Sequence, residues 1–344
     1  MRLNTKDFET IKTLATGAVG RVCLVRSKKT KQVYALKILK KQDLLTRQEA
    51  AFFMEERNAL VFAQKSDWIT TLYAAFQDED NLYLLMEYVS GGSMRALLNN
   101  REDIMKEDEA RFYIMEMILS VAELHSHSYI HRDIKPENYL VDSNGHIKLA
   151  DFGSCVRVSE TARVNSHETV GTPDYISPEI LKANEGEADY GIEVDWWSIG
   201  IILYELLCDE VPFYSESLVG TYGKIMNHKK HFAFPEDVEL SEDFRLGKSG
   251  VQEIKNHPWF KGIDWENIRN AKAPFVPQLS GPEDTRYFED EDTEAKKFVK
   301  KALTKTKEFT VPWNYSWSSS GTFKNCSPTQ FSDVNEWINS VIGR

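Results

Sequence analysis

Cysteine is scarce in this chain. Its 344 residues include four, Cys23, Cys155, Cys208 and Cys326, scattered with no C-x-x-C pair and no metal-ligand spacing. A disulfide scaffold is thereby excluded, and unpaired thiols fit a reducing compartment, so the expected location is the cytoplasm. A basic surplus is missing too. Lys and Arg number 42 against 53 Asp and Glu, a net charge of -11, so no global basic field argues for nucleic acid. The longest apolar stretch, Trp196 to Cys208, is broken by Ser198 and Glu205; it is too short for a membrane span and reads as a buried helix. Residues 1–10 are polar and charged, unlike an export signal. No internal repeat is present. With 42% apolar residues, the chain can bury a sizeable core, and its length suits one bilobal domain plus a tail.

Residues 8–40 alternate apolar and polar around glycines (Val22, Leu24, Val25, Val33, Leu36, Ile38), which predicts a set of twisted antiparallel strands. A helix is expected from about Thr46 to Gln64, then strands near Ile69–Phe76 and Leu82–Met86, with a break at Gly91-Gly92. Beyond the break the period becomes helical. Ala110, Ile114, Met117, Ile118, Val121 and Leu124 share one face of a helix over Glu107–His125, and a second runs from about Val194 to Leu207. Strands with one helix, followed by mostly helices, read as two lobes. After Pro258 the composition suggests an extended tail, with a short basic helix over Glu294–Lys307 and a disordered end.

The chemistry lies in short motifs. His131-Arg132-Asp133-Ile134-Lys135-Pro136-Glu137-Asn138 is the strongest. Phosphoryl transfer needs an acceptor oxygen in line with the phosphate and cations that neutralise developing charge. Asp133 can take the proton of an acceptor hydroxyl, Lys135 can reach the γ-phosphate, and Asn138 supplies an oxygen ligand to magnesium. Thirteen residues on, Asp151-Phe152-Gly153 offers a second magnesium ligand in Asp151, with Gly153 easing the turn. Upstream, Lys37 in Tyr34-Ala35-Leu36-Lys37 is placed on a strand, facing the α- and β-phosphates. It needs a carboxylate partner on the following helix. Glu56 is favoured over the competing Glu55 by the pattern around Arg57 and Leu60. Ala15-Thr16-Gly17-Ala18-Val19-Gly20-Arg21-Val22 fits a phosphate-covering hairpin, although Ala15 stands where G-x-G-x-x-G-x-V has its first glycine. In Gly171–Glu179, Thr172 can hydrogen-bond between Asp133 and Lys135, and Glu179 is a candidate buried carboxylate with Arg245 as partner. Asp195 can accept backbone N–H bonds from the Asp133 loop. Both Glu179 and Asp195 read as structural supports.

These motifs, in this order, resemble the eukaryotic protein kinases over about residues 8–290. Within them the chain resembles the AGC group and is similar to the Rho-family effector kinases: myotonic dystrophy kinase-related kinase, Rho-associated kinase and citron kinase. Trp68–Leu72, Ala75–Asp78, Asp151–Cys155, Gly171–Glu179, Ser217–His228 and Trp265–Asn270 carry the likeness. The resemblance implies an α+β bilobal fold: a kinase N-lobe over 8–87, a C-lobe over 88–260, an AGC-type C-terminal tail over 261–318 and a disordered end over 319–344. It implies ATP and Mg2+ as cofactors, and a serine/threonine kinase acting on protein substrates with basic residues near Ser/Thr, in actomyosin and cytoskeletal signalling. The nucleotide would meet Ala15, Gly17, Gly20, Val22, Ala35, Lys37 and Leu140. Met86 would be the gatekeeper, Glu87 to Val89 would face the adenine edge, and Phe288 would complete the pocket from the tail.

Departures from the family pattern shape the remaining expectations. Ser93 replaces an acidic residue near the substrate arginine, leaving Glu137 available to it. Glu168 stands at the activation-loop phosphosite, where its fixed charge would replace phosphate beside Arg132, with Thr169 as the alternative phosphosite. Between Phe244 and Arg245 the chain lacks a helix of about three to four turns. The coiled-coil and GTPase-binding parts of relatives are expected to be absent, and Ser316 is a candidate tail phosphosite. Ala15, Ser93 and the missing helix support a contrasting reading, a catalytically weak kinase-like scaffold or nucleotide-binding module. The segment Gly171–Glu179, resembling a protein-substrate platform, disfavours a small-molecule kinase.

Overall fold

The computed structural model describes residues 3–17, 20–46, 52–158, 163–166, 169–186, 189–232 and 250–288, and the backbone of 315–316. The expected basic helix over 294–307, Glu168, Arg245, the shortened stretch around Phe244 and the end over 319–344 lie outside the described residues. Two compact units emerge. One holds residues 1–65, 70–88 and 280–344; the other holds 66–69 and 89–279.

The first unit is a sheet with helices. Strands β1 (Phe8–Thr16), β2 (Gly20–Ser27) and β3 (Val33–Lys40) are followed by helices α1 (Lys41–Thr46) and α2 (Phe52–Phe62), then by β4 (Leu72–Gln77) and β5 (Asn81–Met86). The strands pair antiparallel in the order β1-β2-β3-β5-β4, and a two-residue strand, Tyr315–Ser316, adds to the β4 edge. Apolar residues from all five of these strands make one buried face: Phe8, Cys23, Val25, Leu36, Ile38, Phe76, Tyr83 and Leu85. Phe76 stacks on Phe8 at 6.3 Å and on Tyr83 at 4.9 Å between ring centres. The fully buried Tyr83 hydroxyl is satisfied by Asp78 at 2.7 Å.

The expected strand over 69–76 begins only at Leu72, for a reason visible in its hydrogen bonds. Leu149 N–H bonds the Trp68 carbonyl at 2.8 Å and Ile69 bridges Leu149, so these residues pair within the second unit. Arg269 holds them there. Its guanidinium lies 4.0 Å from the Trp68 ring centre and donates to the carbonyls of Asp67 and Ile147. The expected helix over 46–64 is observed as α2, with α1 directly after β3.

The second unit is mostly helical: α3 (Met94–Asn99), α4 (Glu107–Ser126), α5 (Pro178–Asn184), α6 (Glu193–Cys208) and α7 (Leu218–Met226), with short strands β6 (Tyr129–Ile130), β7 (Tyr139–Val141), β8 (Ile147–Leu149) and β9 (Val156–Arg157). In α4 the six residues on the expected face are all buried, and burial extends to Phe112, Tyr113, Met115 and Glu116, because α6 and β8 both pack against this helix. Glu116 is fully buried, yet His146 Nδ1 lies 2.5 Å from it and the Ile147 N–H donates to it at 2.8 Å, which offsets the cost of burying its charge. Helix α3 was not expected from the sequence; Ser93 caps it, its Oγ accepting from Ala96 N–H at 3.1 Å. No helix among the described residues is long and apolar enough to cross a membrane.

Candidate active site

In the sheet unit, the β1–β2 hairpin closes through Gly17 N–H to the Gly20 carbonyl at 2.8 Å. A Cβ at Gly20 would lie 2.1 Å from the Ile38 carbonyl oxygen, so close approach to β3 demands glycine there. Ala15 sits in β1 opposite Val22 and has no positive φ, so alanine suits the position. On β3, Lys37 lies opposite Val22 and Leu84, and Ala35 opposite Leu24 and Met86. Lys37 Nζ is 2.6 Å from Glu56 Oε1, and Glu56 is 2% exposed. The ion pair thus falls to Glu56, and Glu55 does not share it. Glu87 N–H bonds the Thr71 carbonyl at 2.9 Å. The tail segment is clamped to the same unit. Arg26 forms a two-pronged ion pair with Glu283, Tyr88 hydroxyl donates to the Asp284 carbonyl at 2.5 Å, and the Phe288 ring lies 5.7 Å from the Tyr88 ring.

In the helical unit the loop after β6 builds a tight polar triangle. Lys135 Nζ lies 2.8 Å from Asp133 Oδ2 and donates to Thr172 Oγ1 at 2.7 Å; that hydroxyl in turn donates to Asp133 Oδ1 at 2.7 Å. Asn138 Nδ2 donates to the Asp133 carbonyl at 2.8 Å, which turns its carboxamide oxygen to other uses. Gly171, at φ +117°, lets the activation segment approach: a Cβ there would lie 2.6 Å from the Arg132 carbonyl oxygen.

The loop hangs on Asp195, fully buried at the start of α6. Its Oδ2 accepts from His131 N–H at 2.9 Å and lies 2.8 Å from His125 Nε2, while Oδ1 accepts from Arg132 N–H at 2.8 Å. Burial works against its charge, but the His125 hydrogen bond, the neighbouring imidazoles and the backbone donors prevail and hold its pKa below the usual carboxylate range. Arg132 itself is strained, at φ +67°. Its side chain is directed inward, donating to the Ser154 carbonyl at 2.7 Å and the Tyr190 hydroxyl at 2.9 Å. Burial pushes the His131 pKa down. The neutral ring fits its contacts, with Nδ1 accepting from Asp133 N–H and Nε2 lying 3.3 Å from the Ala150 carbonyl.

Asp151 is exposed and adopts φ +56°. The left-handed residue of that turn is thus Asp151; Gly153, expected to supply the freedom, has no positive φ. Asp151 and Asn138 both carry hard oxygen donors of the kind a magnesium ion takes. No group of three His, Cys, Asp or Glu side chains among the described residues is placed to hold a metal alone. Leu140 sits in β7 and bridges Ser93; Val89 is buried. Thr169 is exposed, and Glu179 lies in the first turn of α5. Glu137, expected to stand open to a substrate, instead binds Arg95 Nε at 2.7 Å. Sequence reading missed Arg95, because a single arginine two residues after Gly92-Ser93 carries no pattern of its own.

The sheet unit holds a lysine–glutamate pair on β3 and α2, and the helical unit an Asp–Lys–Thr triangle with Asn138 bonded to it, the set of groups expected of a protein kinase domain. Residues 8–309 match the family described as Protein kinase domain. The chain is 51% identical over 307 residues to Serine/threonine-protein kinase MRCK alpha of Homo sapiens, covering 85% of this chain and 18% of that protein. It is 50% identical over 314 residues to Serine/threonine-protein kinase Genghis Khan of Drosophila melanogaster, covering 86% and 19%. Human MRCK beta matches at 50% over 307 residues. The chain belongs to the protein kinase domain family, with the α+β bilobal fold of that family and its AGC-group Rho-effector kinases as relatives. It spans less than a fifth of the length of these relatives.

Proposed function

We propose that this chain transfers the γ-phosphate of ATP to serine or threonine hydroxyls of protein substrates. The Asp133–Lys135–Thr172 triangle carries the reading. Asp133 accepts the proton as the acceptor oxygen forms its bond to the γ-phosphorus and the bond to the β-phosphate oxygen breaks, releasing ADP. Lys135 supplies positive charge to the transferred group, and Thr172 fixes the carboxylate's rotation. Lys37, held by Glu56, binds the α- and β-phosphates beneath the Gly17–Gly20 hairpin. Val22, Ala35, Met86 and Leu140 supply apolar contacts to the base, Glu87 and Val89 its backbone hydrogen bonds, and Phe288 a tail contact. Asn138 and Asp151 would hold magnesium, which would neutralise phosphate charge when bound.

The carboxylates of Glu137 and Glu205, which could draw substrates with basic residues near the acceptor, are already paired with Arg95, so such substrates gain only a modest preference. By resemblance to the Rho-effector kinases, those substrates belong to actomyosin and cytoskeletal signalling, and the site of action is the cytoplasm. The negative-φ backbone at Ala15 removes one argument for an inactive scaffold. Labelled-phosphate transfer from Mg-ATP to three peptides differing only in a Ser, Thr or Tyr acceptor tests the proposal. Incorporation into Ser and Thr peptides is expected, and incorporation into the Tyr peptide alone would refute it.

A further inference from the structure

A second charged cluster adjoins the Asp133 triangle. Arg95 on α3 donates through Nε to Glu137 Oε1 at 2.7 Å, and its Nη2 lies 2.8 Å from Glu205 Oε1 on α6 and 2.6 Å from the Tyr175 hydroxyl. That hydroxyl donates onward to Glu205 Oε2 at 2.7 Å. Asp174 belongs to the same field: burial raises its pKa, the Arg95 charge lowers it and Glu137 raises it. Burial also works against the Arg95 charge, but the Glu137 hydrogen bond and the neighbouring acids outweigh it and keep it protonated. Two carboxylates thus hold one guanidinium, and a third lies in its field.

The position of the cluster matters. Glu137 stands four residues after Asp133, and Tyr175 three after Thr172. A substrate's acceptor must reach Asp133, so its flanking residues pass these acids. The cluster is open to them, since the Arg95 side chain is 25% and Glu137 43% exposed. A guanidinium is the group whose planar fork suits such a carboxylate pair. Here that fork comes from the chain itself. A substrate arginine would have to displace Arg95, trading one ion pair for another, and would meet its positive charge on approach.

We propose that Arg95 is a specificity-determining residue. It occupies the acidic notch beside the catalytic loop from within, so that the kinase takes Ser/Thr sites with little demand for a neighbouring arginine, and its removal opens the notch to a substrate guanidinium. This rests on the kinase reading above, and its test needs no turnover. Two labelled peptides are used, identical but for Arg or Ala beside the acceptor position, with the acceptor itself replaced by Ala. Their affinities are measured by fluorescence anisotropy for the wild type, Arg95→Leu and Arg95→Gln, with melting curves run in parallel.

The wild type should prefer the Arg peptide by less than about tenfold, and the Leu and Gln variants should raise that ratio by about tenfold. Adding Glu137→Gln and Glu205→Gln to Arg95→Leu should erase the gain. Ratios equal in wild type and variants would overturn the proposal, as would unfolding of both variants, which would make Arg95 a strut between α3 and α6. Phosphate transfer to Ser peptides is assayed alongside. A folded wild type without turnover would count against the kinase reading, while the affinity ratio would still decide the role of Arg95.

Discussion

Asp195→Asn is an isosteric change whose cost follows from the hydrogen-bond directions. In the wild type, Oδ2 accepts from His131 N–H and faces His125 Nε2, and Oδ1 accepts from Arg132 N–H. An asparagine has one acceptor. If its oxygen keeps the Oδ2 position, its NH2 faces Arg132 N–H, donor against donor; if it takes the Oδ1 position, His131 N–H loses its partner and His125 faces a donor. At least one fully buried backbone N–H is orphaned, at about 1–3 kcal/mol, and the surviving bonds lose a charged acceptor, worth about another 1 kcal/mol. The expected loss is about 2–4 kcal/mol, partly offset if Arg132 relaxes from its left-handed backbone. For a domain stable by roughly 5–15 kcal/mol this is large and measurable. Urea titrations followed by tryptophan fluorescence at pH 7 give the difference. The charge contributes stability above the unfolded carboxylate pKa and loses it as pH falls through the depressed folded value, so the gap between wild type and variant should narrow in acid. A difference below about 1 kcal/mol at pH 7 would refute the reasoning, since it would mean that the loop does not depend on this carboxylate.

Other outcomes follow from single contacts. Gly20→Ala drives a methyl into the Ile38 carbonyl and should destabilise the sheet unit by roughly 1–3 kcal/mol in the same titration; a neutral result would show that the hairpin can lift away freely. His131 has a folded pKa below its unfolded value of about 6.5, so the unfolded chain takes the proton first. Stability should therefore fall as pH drops below about 6.5, by at most about 1.4 kcal/mol per pH unit from this group. His131→Phe should flatten that slope between pH 6.5 and 5, and an unchanged slope would assign it to other histidines.

The sequence made the strands of the sheet unit, α2, α4, α6 and the Asp133–Lys135–Thr172 triangle legible, for two physical reasons. Hydrophobic period reads directly in α4, whose six expected core residues are all buried. Chemistry that needs several charged groups at fixed spacing leaves few alternative readings for His131–Asn138. What stayed hidden depends on contacts distant in sequence. Ile69 reads as strand by composition, but its backbone partner is Leu149. Asp195 was expected to anchor the loop through N–H bonds, whereas the His125 contact that reinforces it comes from 70 residues away. The turn at Asp151-Phe152-Gly153 places its unusual dihedral on the aspartate, which a glycine-centred reading inverts. Arg95 gave no local signal, since its meaning comes only from Glu137, Tyr175 and Glu205 gathering around it.

The most direct measurement is the rate of phosphate transfer from Mg-ATP to a serine peptide by the wild type and by Asp133→Asn, each shown by its melting curve to be folded. Removing the proton acceptor should lower kcat by roughly a hundredfold or more while leaving ATP affinity within a few fold. Equal rates in the two proteins, or no transfer by a folded wild type that binds ATP, would contradict the assignment of this site to phosphoryl transfer.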